Sequence, residues 1–392
     1  MELLKGIRVV DLTAAVAGTS GTMVLADLGA DVVKIEPPKG EHYRYAIGGA
    51  FLLALNRNKR DLALDLRAAE GQEIALRLAS QADVLMENFV PGTMDKLGLG
   101  YDRVCQLNPR IIYCSVSGFG QEGPYSQRPA YDPSVQAMGG IMIATGEPEG
   151  KPCRQQTSLI DTSAGMYGVI AILTALIDRE KTGKGCRIDV SLLDTAIFAM
   201  NYHLAYYSLS GRLPRRLGSG SEAWVPYAAF DTKDRPVWIG VSSDKFWAAF
   251  CKTLGLDDLI NDSRYATEEA RRQHRDELNA KVDEICLQYT SVELESKLVA
   301  ARVPCARLAT VAEVEHNPQV KIRELIEEWH YPGKGNVKIV KTPTMIDGHL
   351  PETRIRTPLL GEHTTEILAE LGYSEKETQQ LLDKGVVVQY KA

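Results

Sequence analysis

The chain reads as an α/β protein on a mainly parallel sheet, joined to a smaller α+β domain. Three observations predict this. Short β-branched runs alternate with helical patterns over the first 120 residues, the rhythm of βαβ units whose helices cover both sheet faces. From residue 226 the pattern changes to a hairpin followed by several helices. The 392 residues, 44% hydrophobic and 24% charged, suit a globular chain of two or three domains at roughly 150 residues each.

The elements follow in order. GIRVVDL (6–12) is a strand, and GTSGTMVLADLGA (18–30) opens on small residues, continues at helical spacing and closes at Gly29. DVVKIEPP (31–38) is a strand stopped by two prolines, DLALDL (61–66) another, and AAEGQEIALRLASQA (68–82) an amphipathic helix. DVLMENF (83–89) and RIIYCSVSGFG (110–120) are further strands. TSLIDTSAGMYGVIAILTALID (157–178) is an apolar helix with Asp161 and Thr162 at its start, ended by KTGKG (181–185), and CRIDVSLLDTAIFAM (186–200) gives a strand and a helix. Tyrosine-rich NYHLAYYSLSG and turn-rich GRLPRRLGSGSE make 201–225 a linker. PYAAFDTKDRPVWIGV (226–241) is a hairpin turning at Lys233–Asp234, followed by helical segments to about 320. The tail, 321–392, has a β-rich part and a helix pair at 361–387. The expected division is therefore 1–200, linker 201–225, 226–320 and 321–392.

Composition excludes several classes. With 45 basic and 51 acidic residues, net −6, the chain is not built to hold nucleic acid by its phosphates, although a local basic cluster can still grip a small anion. The longest uncharged apolar stretch, Gly165 to Ile177, falls short of the roughly 20 residues of a membrane span. The start, MELLKGIRVVDL, lacks the features of a secretory signal. Seven scattered cysteines without CxxC, and seven dispersed histidines without HExxH, argue for reduced thiols, a cytoplasmic location and no metal site.

In parallel sheets ligands sit beyond the strands' carboxyl ends, here Asp11–Thr13, Ile35–Glu36, Asn88–Phe89 and Ser117–Gly120. The first loop, TAAVAGTSG, has Gly18 and Gly21 but no GxGxxG, so Glu36 as a ribose-binding acid has little support. Asp161 carries two readings. It caps a helix N-terminus, or it is a partly desolvated carboxylate acting as nucleophile or general base. The basic series Lys34, Lys39, Arg57, Lys59, Arg60, Arg67 and Lys96 is either solvated surface charge or a group that binds an anionic cofactor. The Gly- and Pro-rich run 117–140, with Tyr125, Tyr131 and Asp132, is a ligand-shaped loop or an irregular connection.

Seven stretches then resemble one family: GIRVVDLT, ADLGADVVKIEPPKG, NRNKRDLALDLRAAEG, ADVLMENFVPGTMDKLGLGYD, NPRIIYCSVSGFGQEGPYSQRPAYD, DTSAGMYGVIAILTALIDREKTGKGCRIDVSLLD and RTPLLGEHTTEILAELGYS. In this order they resemble the class III CoA-transferases, the group of formyl-CoA transferase and carnitine CoA-transferase. The resemblance implies a Rossmann-like large domain formed by both chain ends, a small domain between them, and an interlocked dimer, with a heteromer of paralogues left open. Asp161 falls on the family's catalytic aspartate, which forms aspartyl anhydride and aspartyl-CoA thioester intermediates. The resemblance also implies CoA contacts at Ala15, Val16, Leu64, Arg67, Asn88, Phe89, Lys96, Tyr131 and Asp132. CoA arrives on an acyl-CoA substrate and leaves on a free carboxylic acid. No tightly bound cofactor, metal, nucleic acid or membrane is implied.

Departures from the family's pattern carry information. Pro37 replaces a CoA-contacting Arg, and Ala15–Val16 replaces the Val-Gln pair of formyl-CoA transferase. With Tyr202, Tyr206 and Tyr207, this points away from oxalate or formate and toward a larger or partly apolar acid. The loop GSGS (218–221) is poorer in glycine than the loop that covers the active site in some members. Racemases of this fold carry Gly-His-Asp where this chain has Ala130-Tyr131-Asp132, and tyrosine makes a poor second base at neutral pH. A CoA-transferring isomerase and a silent CoA-binding subunit remain as alternatives.

Overall fold

The structure, a computed structural model, describes residues 2–390. Its main sheet has six parallel strands: β1 (Arg8–Leu12), β2 (Asp31–Glu36), β3 (Lys59–Leu64), β4 (Val84–Glu87), β5 (Ile112–Ser117) and β6 (Cys186–Ser191). A short strand, Val387–Val388, runs antiparallel along β3. The spatial order is β3-β2-β1-β4-β5-β6. It reverses between β1 and β4, and in an open α/β sheet that switch point opens a crevice at the carboxyl ends. The strands read as apolar runs because both faces are covered, and Val9, Leu12, Val32, Leu62, Leu85 and Ile112 are all 2% exposed or less.

Two helices bring the loop after β1 to its place. Helix Ala17–Asp27 packs on helix Leu159–Thr182 through glycine. A Cβ on Gly165 would lie 2.3 Å from the Ala17 carbonyl oxygen and 2.4 Å from Ser20 Oγ, so only glycine allows this approach. The long helix lies over Met86 and Cys114 at Gly168. At its far end Arg179 pairs with Asp83 at 2.7 Å and donates to the Arg110 carbonyl at 3.1 Å. Asp83 and Arg110 precede β4 and β5, so the helix runs against the strands and its first turn, with Asp161, stands at their carboxyl ends.

Among the described residues this helix is the one long and apolar enough, by length and composition, to cross a membrane. Here its glycine face packs on the sheet. Its other side leaves Tyr167, Ile170 and Ile177 exposed, next to Ile197 and Phe198 of helix Leu192–Ala199.

The chain divides into two compact units, 1–140 with 155–201 and 318–392, and 141–154 with 202–317. In the first unit Ile367, Leu368, Leu371, Leu381 and Val386 of the C-terminal segment share one core with Val10, Leu62 and Leu85. The second unit holds the hairpin Tyr227–Phe230 and Val237–Gly240, a third strand Cys305–Arg307, and a core around Trp247, Phe250, Leu278 and Leu298. The stretch 201–225 is not a plain linker. It carries a helix, Asn201–Ser210, and its GSGS loop is tied into the second unit. Gly218 N–H donates to the Gly146 carbonyl at 2.9 Å, and Arg275 to that of Ser221 at 2.7 Å. The excursion 141–154 into this unit has no counterpart in the sequence pattern.

Candidate active site

The loop after β1 is held at Thr13, Ala14 and Ala15. Thr13 bonds the Asp11 carboxylate through its N–H (2.9 Å) and its hydroxyl (2.6 Å), and its carbonyl accepts from Lys34 Nζ at 2.8 Å. Asn88, just past β4, grips Ala14 at both ends: Oδ1 accepts the Ala14 N–H and Nδ2 donates to the Ala14 carbonyl, both at 2.8 Å. Ala15 N–H donates to Glu41 Oε2 at 3.0 Å. Ala15 has φ +61°, a left-handed conformation costing roughly 1–2 kcal/mol in a residue with a Cβ. Val16, 8% exposed, precedes the helix that follows.

Much of the basic series is buried in ion pairs within the fold. Lys59 pairs with Asp11 (2.9 Å), Lys34 with Glu41 (3.0 Å) and Arg57 with Asp27 (2.5 Å), all buried. Arg44 bridges Glu36 (2.5 Å) and Asp61 (3.3 Å), so Glu36 is a buried ion partner and not a ribose acid. Burial and the neighbouring Glu36 push the Asp61 carboxyl up. Cations survive burial only when paired, and Lys34, Arg44 and Lys59 each have a carboxylate partner within this network. Arg60 is likewise committed, to Asp31, Glu366 and Glu370.

Asp161 is the third residue of its helix and does not cap it. The cap comes from 29 residues upstream. Asp132 Oδ2 accepts the N–H groups of Ile160 (2.9 Å) and Asp161 (3.0 Å). Asp132 is 2% exposed, so it is a buried helix cap and not the ligand contact expected from the sequence. Its other oxygen accepts from Gln136 Nε2.

Relieved of capping, the Asp161 carboxylate has no hydrogen-bond or ion-pair partner among the described residues. It is only half-buried. Burial, and then the Asp132 charge, push it up to about 7. Gly165, which touches Ala17, lies about one turn further along this helix, so Asp161 stands close to the held loop.

Tyr43 completes the group and was not legible in the sequence. Burial, with Tyr131, Asp161 and Glu41 near it, pushes its phenol up. Glu41 was missed too. A signal existed in each case, a polar residue in the crossover between β2 and β3, but nothing in the sequence says where that crossover folds. Tyr131 is 69% exposed beside the buried Asp132.

The expected CoA contacts divide. Asp132 caps the helix of Asp161, with Tyr131 next to it in the chain, while Ala15 and Val16 belong to the loop after β1 that Asn88 holds through Ala14. Phe89 is half-buried against the core, and its N–H donates to Glu87 at 2.8 Å. Leu64 is 1% exposed within β3; its side chain belongs to the core, which corrects the expectation of a ligand contact. Arg67 is exposed after β3, paired with Asp65 at 2.9 Å. Lys96 is exposed after β4 and, among the described residues, unpaired. No group of three or more His, Cys, Asp or Glu among them is placed to hold a metal ion. Tyr202, Tyr206 and Tyr207 fall on a helix of the second unit.

The family model described as CoA-transferase family III matches residues 4–364. The human succinyl-CoA:glutarate CoA-transferase is 35% identical over 400 residues, covering 99% of this chain and 90% of the relative. An acetyl-CoA:oxalate CoA-transferase of Acetobacter aceti is 36% identical, covering 94% and 96%. A crystal structure of a CaiB/BaiF family protein from Brucella suis superposes with a TM-score of 0.84 at 37% identity, over 94% of this chain and 99% of the other.

Proposed function

This chain belongs to CoA-transferase family III, and from that premise we propose that it moves CoA from an acyl-CoA to a free carboxylic acid with Asp161 as the nucleophile. One observation carries the reading. Asp161 is an unpaired, half-buried carboxylate at the carboxyl ends of the sheet, beside the loop held by Asn88 and Glu41. A pKa near neutrality suits a nucleophile, because the carboxylate is charged above pH 7 yet more basic than an ordinary aspartate.

The steps balance without a further reactant. The Asp161 carboxylate attacks the thioester carbonyl, the C–S bond breaks, and CoA thiolate leaves an acyl-aspartyl anhydride. The thiolate attacks the aspartyl carbonyl, expelling the donor acid and leaving aspartyl-CoA thioester. The acceptor carboxylate displaces the thiolate to give a second anhydride. The thiolate then takes the acceptor acyl group and restores Asp161. The N–H groups of Ala14 and Ala15 are already committed, so the N–H groups opening helix Ala17–Asp27 would be left to support the developing oxyanions. Asn88 and Phe89 would flank the pantetheine arm. Arg67 and Lys96, two exposed cations of the series, would meet the CoA phosphates.

The apolar Ala14–Val16 stretch favours an acceptor larger than oxalate, although one relative is named for oxalate and another for glutarate. A second copy of the chain would cover the exposed Tyr167, Ile170, Ile177, Ile197 and Phe198. Transfer assays with succinyl-CoA and acetyl-CoA over a panel of mono- and dicarboxylic acids test the proposal. Exchange that Asp161→Ala abolishes supports it. Deuterium exchange at C2 of a 2-methylacyl-CoA without any acceptor acid would favour a racemase, and CoA binding with no exchange at all a silent subunit.

A further inference from the structure

Gln136 is wholly buried, and a buried amide is costly unless its groups are bonded. Its bonds tie its own helix, through Asp132, to the separate segment at Gln155. Oε1 accepts the Gln155 N–H at 3.0 Å, while Nε2 donates to Asp132 Oδ1 and, at 3.4 Å, to the Gln155 carbonyl. The Gln155 N–H needs an acceptor, which settles the amide's orientation and turns its NH2 group toward Asp132. Asp132 therefore receives donors on both oxygens, Gln136 on one and the N–H groups of Ile160 and Asp161 on the other.

Resting on the reading of Asp161 as nucleophile, we propose that Gln136 is a positioning residue. It fixes the Asp132 carboxylate as an acceptor against the N–H groups that open the catalytic helix, and through Asp132 it sets the direction and the charge state of Asp161. The groups facing Asp161 are few. Asp132 acts on it directly, and Tyr43 of the crossover after β2 lies near it, with Tyr131 and Glu41 near Tyr43 in turn. On its own helix the next charged residue is Asp178. Among the described residues, Asp132 is thus the one charge that shifts Asp161, and Gln136 is the one side chain that bonds Asp132. The elevated pKa of Asp161, caused first by burial and then by Asp132, agrees with this arrangement.

The test is the pH dependence of kcat/KM for Gln136→Glu, Gln136→Met, Asp132→Asn and the double variant Asp132→Asn/Gln136→Met, with thermal melts as folding controls. Gln136→Glu keeps the acceptor for Gln155 but turns a carboxyl toward Asp132, and the acid limb should move up by about half a pH unit or more. Gln136→Met should lower kcat about tenfold, with KM for acyl-CoA within about twofold. In the double variant, loss of Gln136 should cost less than about twofold beyond Asp132→Asn alone, because the two act as one unit. A folded Gln136→Glu whose profile superposes on the wild type overturns the proposal, and so do additive losses in the cycle. If Gln136→Glu does not fold, the cycle decides alone. Hydroxylamine trapping at Asp161 in the wild type separates the two claims. Its absence removes the nucleophile, whereas its presence with an unmoved profile removes only Gln136.

Discussion

At the scale of single residues, Asp161 is placed for reactivity at a cost in stability. Its carboxyl titrates near 7 in the fold against an ordinary 3.8. Below pH 3.8 both folded and unfolded forms are protonated and no penalty exists. As pH rises the unfolded chain ionises first, so the penalty grows until about pH 7 and then stays constant, at most about 4 kcal/mol at 1.36 kcal/mol per pH unit. We expect Asp161→Asn to be inactive yet more stable than the wild type at pH 8, with the difference vanishing at pH 4, as read by denaturant melts at both. The wild-type activity should fall below about pH 7 as Asp161 takes up its proton. The basic residues separate by the same reasoning. Arg57→Ala leaves Asp27 buried and unpaired and should cost about 3–5 kcal/mol. Arg67→Ala and Lys96→Ala should leave the melting temperature unchanged and raise KM for acyl-CoA, by a factor that shrinks as salt rises.

At the scale of elements, two helices and two loops place the site. Gly165 lets helix Leu159–Thr182 reach helix Ala17–Asp27 almost backbone to backbone. Gly165→Ala puts a methyl against the Ala17 carbonyl, where backbone must move, and should cost about 1–3 kcal/mol while lowering kcat by displacing Asp161. Denaturant melts and initial rates on one preparation check both. The β-branched runs 8–12, 31–36 and 112–117 were legible because burial on both faces demands apolar residues whatever the partner. Asp161 stood out because it opens a helix otherwise uncharged as far as Asp178. What it does there was not legible, because the cap comes from Asp132 across 29 residues. Lys34, Arg57, Lys59 and Arg60 read as surface or cofactor charge for the same reason. Their partners lie as far as 310 residues away, as Glu370 does from Arg60, and a charge without its partner carries no burial signal in a sequence.

At the scale of the whole molecule, the first unit is closed by the C-terminal segment, whose Thr364 hydroxyl donates to the Val388 carbonyl and faces the Ala63 N–H of β3. Deleting residues 361–392 removes part of the core around Leu62 and should leave the chain insoluble, not merely inactive. The apolar strip Tyr167–Ile170–Ile177 with Ile197 and Phe198 calls for a cover. In sedimentation the chain should run at twice its 43.2 kDa, and Ile170→Glu with Ile177→Glu should shift it toward one chain or into aggregates.

The most direct test of the central claim is covalent. The protein is incubated with acyl-CoA and hydroxylamine, digested and examined by mass spectrometry. If Asp161 is the nucleophile, the peptide that contains it carries a hydroxamate on that residue, activity falls in proportion, and acyl-CoA is required. Full activity with an unmodified Asp161, or a hydroxamate on any other carboxylate, would contradict the account.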